Sequence, residues 1–125
     1  MADLNSMSAL ILEDEFIIAM DLRDMLLDWG FREVRVAHSG EEAKSMLAGG
    51  GIDLVVADFE LPDGNSADLI GKAQAGGSIV VMLTGKAIDA AALEGMGRPA
   101  MLQKPVHPDA LRDVVLGTLN RSRGA

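Results

Sequence analysis

The chain has 125 residues, 49% of them hydrophobic and 24% charged, with a formal net charge of −8 and no cysteine. That length suits one domain rather than two, the acidity disfavours nucleic-acid partners, which need clustered Lys and Arg on phosphates, and the missing cysteines exclude disulfides and thiolate metal sites. No apolar stretch nears the roughly 18 residues of a membrane span, and the N-terminal MADLNSMS lacks the regions of a signal peptide, so a cytoplasmic protein with no membrane partner is expected.

In chain order, residues 1–7 read as a flexible N-terminus. Ala9–Leu12 (ALIL) is an apolar strand. Phe16–Trp29 carries Ile17, Leu22, Met25, Leu26 and Trp29 at near-helical spacing, with Gly30 as its C-cap. Val34–Ala37 alternates, with Arg35 facing out, and reads as an edge strand. Ser39-Gly40-Glu41-Glu42 has the form of a capping box opening a helix through Leu47, which Gly49-Gly50-Gly51 stops. Ile52–Ala57 is a nearly unbroken apolar run, as expected of a strand covered on both faces. Ala67–Ala75 reads as a helix, Ile79–Leu83 as another covered strand, and Ala87–Leu93 as a short helix. Ala100–Leu102 is the last strand. Pro108 suits the first turn of a final helix with the stripe Leu111, Val114, Val115 and Leu119. His107, just before it, reads as a surface or weak-cap histidine. The expected domain is 8–121, with 122–125 a flexible tail.

Strand and helix alternate five times. That pattern implies an α/β fold, a doubly wound and mostly parallel five-stranded sheet with helices on both faces. In such sheets function gathers beyond the carboxyl ends of the strands. There the sequence places Glu13, Asp14 and Glu15 after the first strand and Asp58 at the end of the third. Thr84-Gly85 follows the fourth, and Gln103-Lys104-Pro105 the fifth. Singly, each is ordinary: Thr84 a β-branched strand residue, Lys104 a solvated side chain, Glu13-Asp14 acids helped by a helix dipole. Together they make a site. Glu13, Asp14 and Asp58 would repel one another unless a cation sat among them, and few carboxylates with room for water suit Mg²⁺. Thr84 can then donate to a phosphoryl oxygen, Lys104 can neutralise another, and Asp58 is left as a carboxylate nucleophile able to become an aspartyl-phosphate.

With these residues the chain resembles a response-regulator receiver domain, the phosphoacceptor module of two-component signalling, of the single-domain chemotaxis-regulator kind. The resemblance covers residues 8–121. It rests on ALILEDE with the acidic pair Glu13-Asp14, DLVVADFELPDGNS with Asp58 as acceptor, HSGEEAKSML at the second helix, IVVMLTG with Thr84, and LQKPVHPDAL with Lys104-Pro105. It implies a flavodoxin-like strand order 2-1-3-4-5, and Mg²⁺ held by Glu13, Asp14, Asp58 and the backbone carbonyl of Glu60. It also implies a cis Lys104–Pro105 bond and a phosphoryl group arriving from a sensor histidine kinase or histidine phosphotransfer protein. Phosphorylation would draw in Thr84 and shift a face built from the fourth helix, fifth strand and fifth helix, which an unknown downstream protein reads. Such a chain is no enzyme beyond its own phosphorylation and dephosphorylation.

Three departures stand out. Where receivers carry a switching Tyr or Phe, this chain has Met101, which lacks a hydroxyl to anchor a rotamer. The Ala-rich Lys86–Gly97 predicts a weakly held fourth helix. Glu60 and Lys86 lie two residues after Asp58 and Thr84, beside the hydrolytic water's path, where opposite charges are expected to pair and slow that water. Among rival readings, a haloacid-dehalogenase-type enzyme would carry its nucleophile on the first strand. A flavin or nucleotide domain would need a phosphate-cradling loop opening a helix, whereas Gly49–Gly51 precedes a strand. A pseudo-receiver that only binds partners, or a receiver fragment of a longer regulator, completes the alternatives.

Overall fold

The structure, a computed structural model, describes residues 3–62 and 64–123. Strands β1 (Ser8–Leu12), β2 (Glu33–Ala37), β3 (Leu54–Asp58), β4 (Ile79–Thr84) and β5 (Ala100–Gln103) alternate with helices α1 (Phe16–Trp29), α2 (Gly40–Ala48), α3 (Ala67–Ala75), α4 (Ala90–Gly95) and α5 (Pro108–Arg123). The five strands form one parallel sheet in the order β2-β1-β3-β4-β5. Between β3 and α3 the chain makes a small antiparallel ribbon, pairing Glu60 with Asn65 and Leu61 with Gly64.

Strand position explains strand composition. Every residue of β1 and β3 is buried, because each lies between two neighbours and beneath helices on both faces. β2, at one edge, alternates between exposed and half-buried before ending on buried Ala37. Side-chain alternation along the strands divides the core in two. Ile11, Val56 and Leu83 pack with Leu22 and Leu26 of α1 and with Leu111, Val115 and Leu119 of α5. Leu10, Leu12, Val55, Ala57 and Met82 pack with Ala43 of α2 and with Leu69, Ile70 and Ala73 of α3.

The caps follow the local chemistry. Gly30 adopts φ 113°, a left-handed conformation that suits glycine, and its N–H reaches back to the carbonyls of Leu26 and Leu27 to close α1. At α2, Ser39 Oγ accepts the Glu42 N–H at 3.2 Å, while Glu42 Oε1 accepts the His38 N–H at 3.0 Å. The Glu42 side chain thus reaches back past the cap to satisfy a donor at the end of β2. His107 Nδ1 accepts the Asp109 N–H at 3.1 Å, a side-chain cap at the start of α5.

Three boundaries move. Before β1, Leu4–Ser6 forms a 3₁₀ turn, with the Asp3 side chain accepting the Asn5 N–H, and Met7 is buried in the core cluster with Leu22 and Leu26 of α1. An apolar side chain next to β1 finds cover there. At the other end α5 continues to Arg123, two residues past the expected stop, while residues 1–2 and 124–125 lie outside the described residues. Finally, α4 begins at Ala90 rather than Ala87. Thr84 Oγ1 accepts the Lys86 N–H at 3.1 Å, holding the chain in a side-chain turn, and Asp89 then caps the helix by accepting the Ala92 N–H at 2.8 Å.

The chain leaves β1 toward β2 on one side, and β3 lies on the other, so the carboxyl ends of β1 and β3 flank the point where the sheet's winding reverses. A crevice opens at such a point.

Candidate functional site at the carboxyl edge of the sheet

The chain must leave the core where β1 and β3 end, and here it leaves on acids. Glu13 follows β1 and Asp58 closes β3; their residues are 1% and 4% exposed, so both carboxylates are withdrawn from water. Asp14 beside them is exposed. One carboxylate oxygen from each of the three lies within 4.8 Å of the others.

Their partners are few and specific. Lys104 Nζ donates to Asp58 Oδ2 at 2.8 Å and lies 3.5 Å from Glu13 Oε1. The Glu60 N–H donates to Asp58 Oδ1 at 3.2 Å, and the Glu15 N–H to Glu13 Oε2 at 3.1 Å. Glu13 Oε1 is buried without a hydrogen bond, an arrangement that costs free energy unless a further cation joins it. Burial pushes the Glu13 carboxyl above its usual range; the charge of Asp58 adds to this, while the Glu15 N–H and Lys104 oppose it. For Lys104 burial works against the charge, but the bond to Asp58 and the charges of Asp58 and Glu13 outweigh it and raise the ammonium pKa. An acidic pocket with one buried oxygen unbonded fits a hard, oxygen-seeking divalent cation such as Mg²⁺.

The raised Glu13 pKa carries a sign. An ionised carboxylate whose folded pKa lies above its unfolded value opposes folding at neutral pH, and that penalty fades as pH falls through the folded pKa. Glu13→Gln is therefore expected to raise stability without divalent cations and to weaken any stabilisation by added Mg²⁺. Thermal melts with Mg²⁺ and with chelator check both; a variant that melts lower yet responds to Mg²⁺ as fully as the wild type contradicts the reading.

Beyond the acids, the fourth strand ends on Thr84, fully buried. Its hydroxyl proton faces Glu60 Oε2 at 2.7 Å and the Lys86 carbonyl at 3.1 Å. The charged, nearer acceptor is the stronger one. The Gly85 N–H donates to Glu60 Oε1 at 2.8 Å. This corrects one expectation. Among the described residues no ion pair joins Glu60 to Lys86. Glu60 is taken instead by two donors fixed on the neighbouring strand end, which lose less freedom on bonding than an exposed lysine would. Met101 lies in β5 opposite Met82, half-buried, and packs on the α2–α3 face of the core. The Lys104–Pro105 bond is cis.

Sequence reasoning passed over two groups. Ser66 Oγ, buried, donates to the Asp58 carbonyl at 3.0 Å and ties the end of β3 to the start of α3. The Gly85 N–H was likewise missed, since a backbone donor has no side-chain signal. His38 stacks on exposed Phe16 with ring centroids 6.2 Å apart.

Residues 9–116 match the family model for the response regulator receiver domain. The chain belongs to that family. Among solved structures it is similar to a CheY-like response regulator receiver domain protein from Methanospirillum hungatei, with a TM-score of 0.85 at 26% identity, covering 93% of this chain and 95% of that one. It is also similar to a response regulator receiver protein from Sinorhizobium medicae, with a TM-score of 0.83 at 28% identity, covering 97% of this chain and 100% of that one. A two-component response regulator from Clostridium difficile shares the fold, with a TM-score of 0.84 at 22% identity over 94% of this chain and 99% of that one. The sheet order of this receiver domain is the flavodoxin-like one expected from the sequence, with the five main strands numbered alone.

Proposed function

We propose that this receiver domain accepts a phosphoryl group on Asp58 from the phosphohistidine of a sensor histidine kinase or histidine phosphotransfer protein. The observation that carries the reading is the state of Asp58, buried at the winding reversal, with Lys104 on one oxygen and the Glu60 N–H on the other. Both contacts orient the carboxylate, and among the described residues Asp58 is the acid to which Lys104 lies nearer, at 2.8 Å against 3.5 Å for Glu13. An Asp58 oxygen forms the new O–P bond as the P–N bond of the phosphoimidazole breaks, and the electron pair returns to the imidazole nitrogen. There is little covalent work for the protein beyond orientation and charge. Lys104 neutralises an oxygen of the transferred group and Thr84 donates to another. Glu13, Asp14 and Asp58, with the Glu60 carbonyl, would hold Mg²⁺, which supplies positive charge for the phosphoryl oxygens.

The phosphorylated domain then presents an altered α4–β5–α5 face to a protein target. A net charge of −8 supports a protein rather than a nucleic acid as that target. The chain acts in the cytoplasm, where its donors are, and catalyses only its own phosphorylation and dephosphorylation.

The test is incubation with acetyl phosphate in Mg²⁺ or in chelator, followed by separation of phosphorylated from unmodified chain. Uptake that needs the cation is expected. Equal uptake in chelator, or none from either acetyl phosphate or a panel of phosphorylated histidine phosphotransfer proteins, would favour the pseudo-receiver.

A further inference from the structure

Glu60 offers one oxygen to Thr84, the hydroxyl that a phosphoryl group on Asp58 would call upon, and the other to the N–H of the next residue, Gly85. Thr84 Oγ1 donates to Oε2 at 2.7 Å and the Gly85 N–H to Oε1 at 2.8 Å. Both are short, charge-assisted bonds. A Cβ added at Gly85 would sit 3.4 Å from Oε1, so the carboxylate lies close against that backbone. We propose that the Glu60 carboxylate is an internal stand-in for the phosphoryl group. It occupies the Thr84 and Gly85 donors in the resting chain and has to leave before they can serve Asp58. This inference rests on Asp58 being the acceptor and deepens that reading.

The physical case has three parts. A carboxylate and a phosphoryl group present the same kind of anionic acceptor oxygen, so they compete for one hydroxyl proton and one N–H. A phosphorylated side chain carries roughly −1.5 to −2 charges, and Glu60 adds another, so both cannot share the donors without repulsion. Glu60 is also tied to the acceptor itself, since its N–H donates to Asp58 Oδ1 at 3.2 Å. Phosphorylation therefore acts on Glu60 at both ends: its peptide lies at the reacting carboxylate and its side chain at the donors.

The consequence is a switch that needs no aromatic side chain. Glu60 belongs to the two-pair ribbon Glu60–Leu61/Gly64–Asn65, while Thr84 ends β4 and Gly85 begins the segment that leads through Asp89 into α4. In the resting chain the Glu60 carboxylate bolts these two loops together. Expelling it frees the ribbon and the loop before α4 at once. Met101 is not required to swing. Glu60 is thus a positioning residue, acting through Thr84 and Gly85, and it raises the threshold for phosphoryl binding.

Beryllofluoride with Mg²⁺, which forms a phosphoryl-like adduct on a carboxylate, reads this directly by ¹⁹F NMR titration. Glu60→Ala is expected to bind it about tenfold more tightly than the wild type, with Glu60→Gln between them. Gln keeps one acceptor oxygen where Glu has two, its NH₂ group cannot accept from the second donor, and it carries no charge. Amide exchange supplies the second readout: without ligand the Gly85 N–H exchanges faster in Glu60→Ala than in the wild type, and with beryllofluoride the two become equal. Equal or weaker binding by both variants, or a Gly85 amide indifferent to the substitution, overturns the inference while leaving Asp58 as acceptor. A wild type that binds no beryllofluoride overturns the acceptor reading and takes this inference with it.

Discussion

Asp58→Ala is expected to reduce phosphoryl uptake from acetyl phosphate and Mg²⁺ to background while the chain stays folded. The reaction loses its nucleophile, and among the described residues no neighbour is placed to replace it. Asp14 is exposed, and Glu13 holds the Glu15 N–H and lies 3.5 Å from Lys104. The effect on stability is small because two changes oppose each other. Lys104 loses its 2.8 Å partner, but the repulsion between two buried carboxylates is relieved. Phosphorylated fraction and thermal melt, measured together, separate lost chemistry from lost fold. Substantial uptake in a well-folded variant would place the acceptor elsewhere.

Lys104→Ala removes the one ammonium that the described residues bring to both acids. Breaking a buried pair by deleting one partner leaves an uncompensated charge, at a cost of about 3 kcal/mol. Lys104 keeps 29% of its side chain exposed, which pulls the figure toward the lower end. Mg²⁺ should return part of the loss, because a divalent cation among the same oxygens compensates the same charge. Phosphoryl uptake should fall about 10²-fold, the usual scale for losing a fixed cationic or hydrogen-bonding group at a transferring centre. The pH dependence has a definite sign. The ammonium pKa is raised, so its contribution to stability is fully present below the ordinary lysine value of 10.5 and is lost as pH rises through the higher folded value. Denaturant melts of wild type and variant, with and without Mg²⁺, between neutral pH and pH 10 measure the gap. A gap that is absent at neutral pH, or that Mg²⁺ widens, contradicts the role given to Lys104.

The parts of the fold legible in the sequence were those set by burial on both faces. Leu54–Ala57 and Val80–Leu83 are apolar because the sheet has helices above and below, and a run of that kind needs no tertiary information to be read. Glu13, Asp58, Thr84 and Lys104 were legible for a related reason: polar residues at the carboxyl ends of parallel strands must converge. What escaped depended on contacts between loops. The partner of Glu60 was expected to be Lys86 from charge alone, but a rigid backbone N–H and a buried hydroxyl lie nearer, and neither distance is written in the spacing. The start of α4 moved for the same cause, since the Thr84 hydroxyl holds Lys86 in a turn that local helix propensity does not anticipate. Met7 and Leu4 looked like a loose end because their cover, the α1 face of the core and the Gly30 turn, comes from residues further along the chain.

The central claim is that Asp58 itself carries the phosphoryl group. Borohydride reduction of the phosphorylated chain converts an aspartyl-phosphate to homoserine, and peptide mass mapping then locates the altered residue. Homoserine at position 58, found only when phosphodonor and Mg²⁺ were both present, is the predicted result. A phosphorylated chain that yields no homoserine there, or yields it at Asp14, would contradict the account.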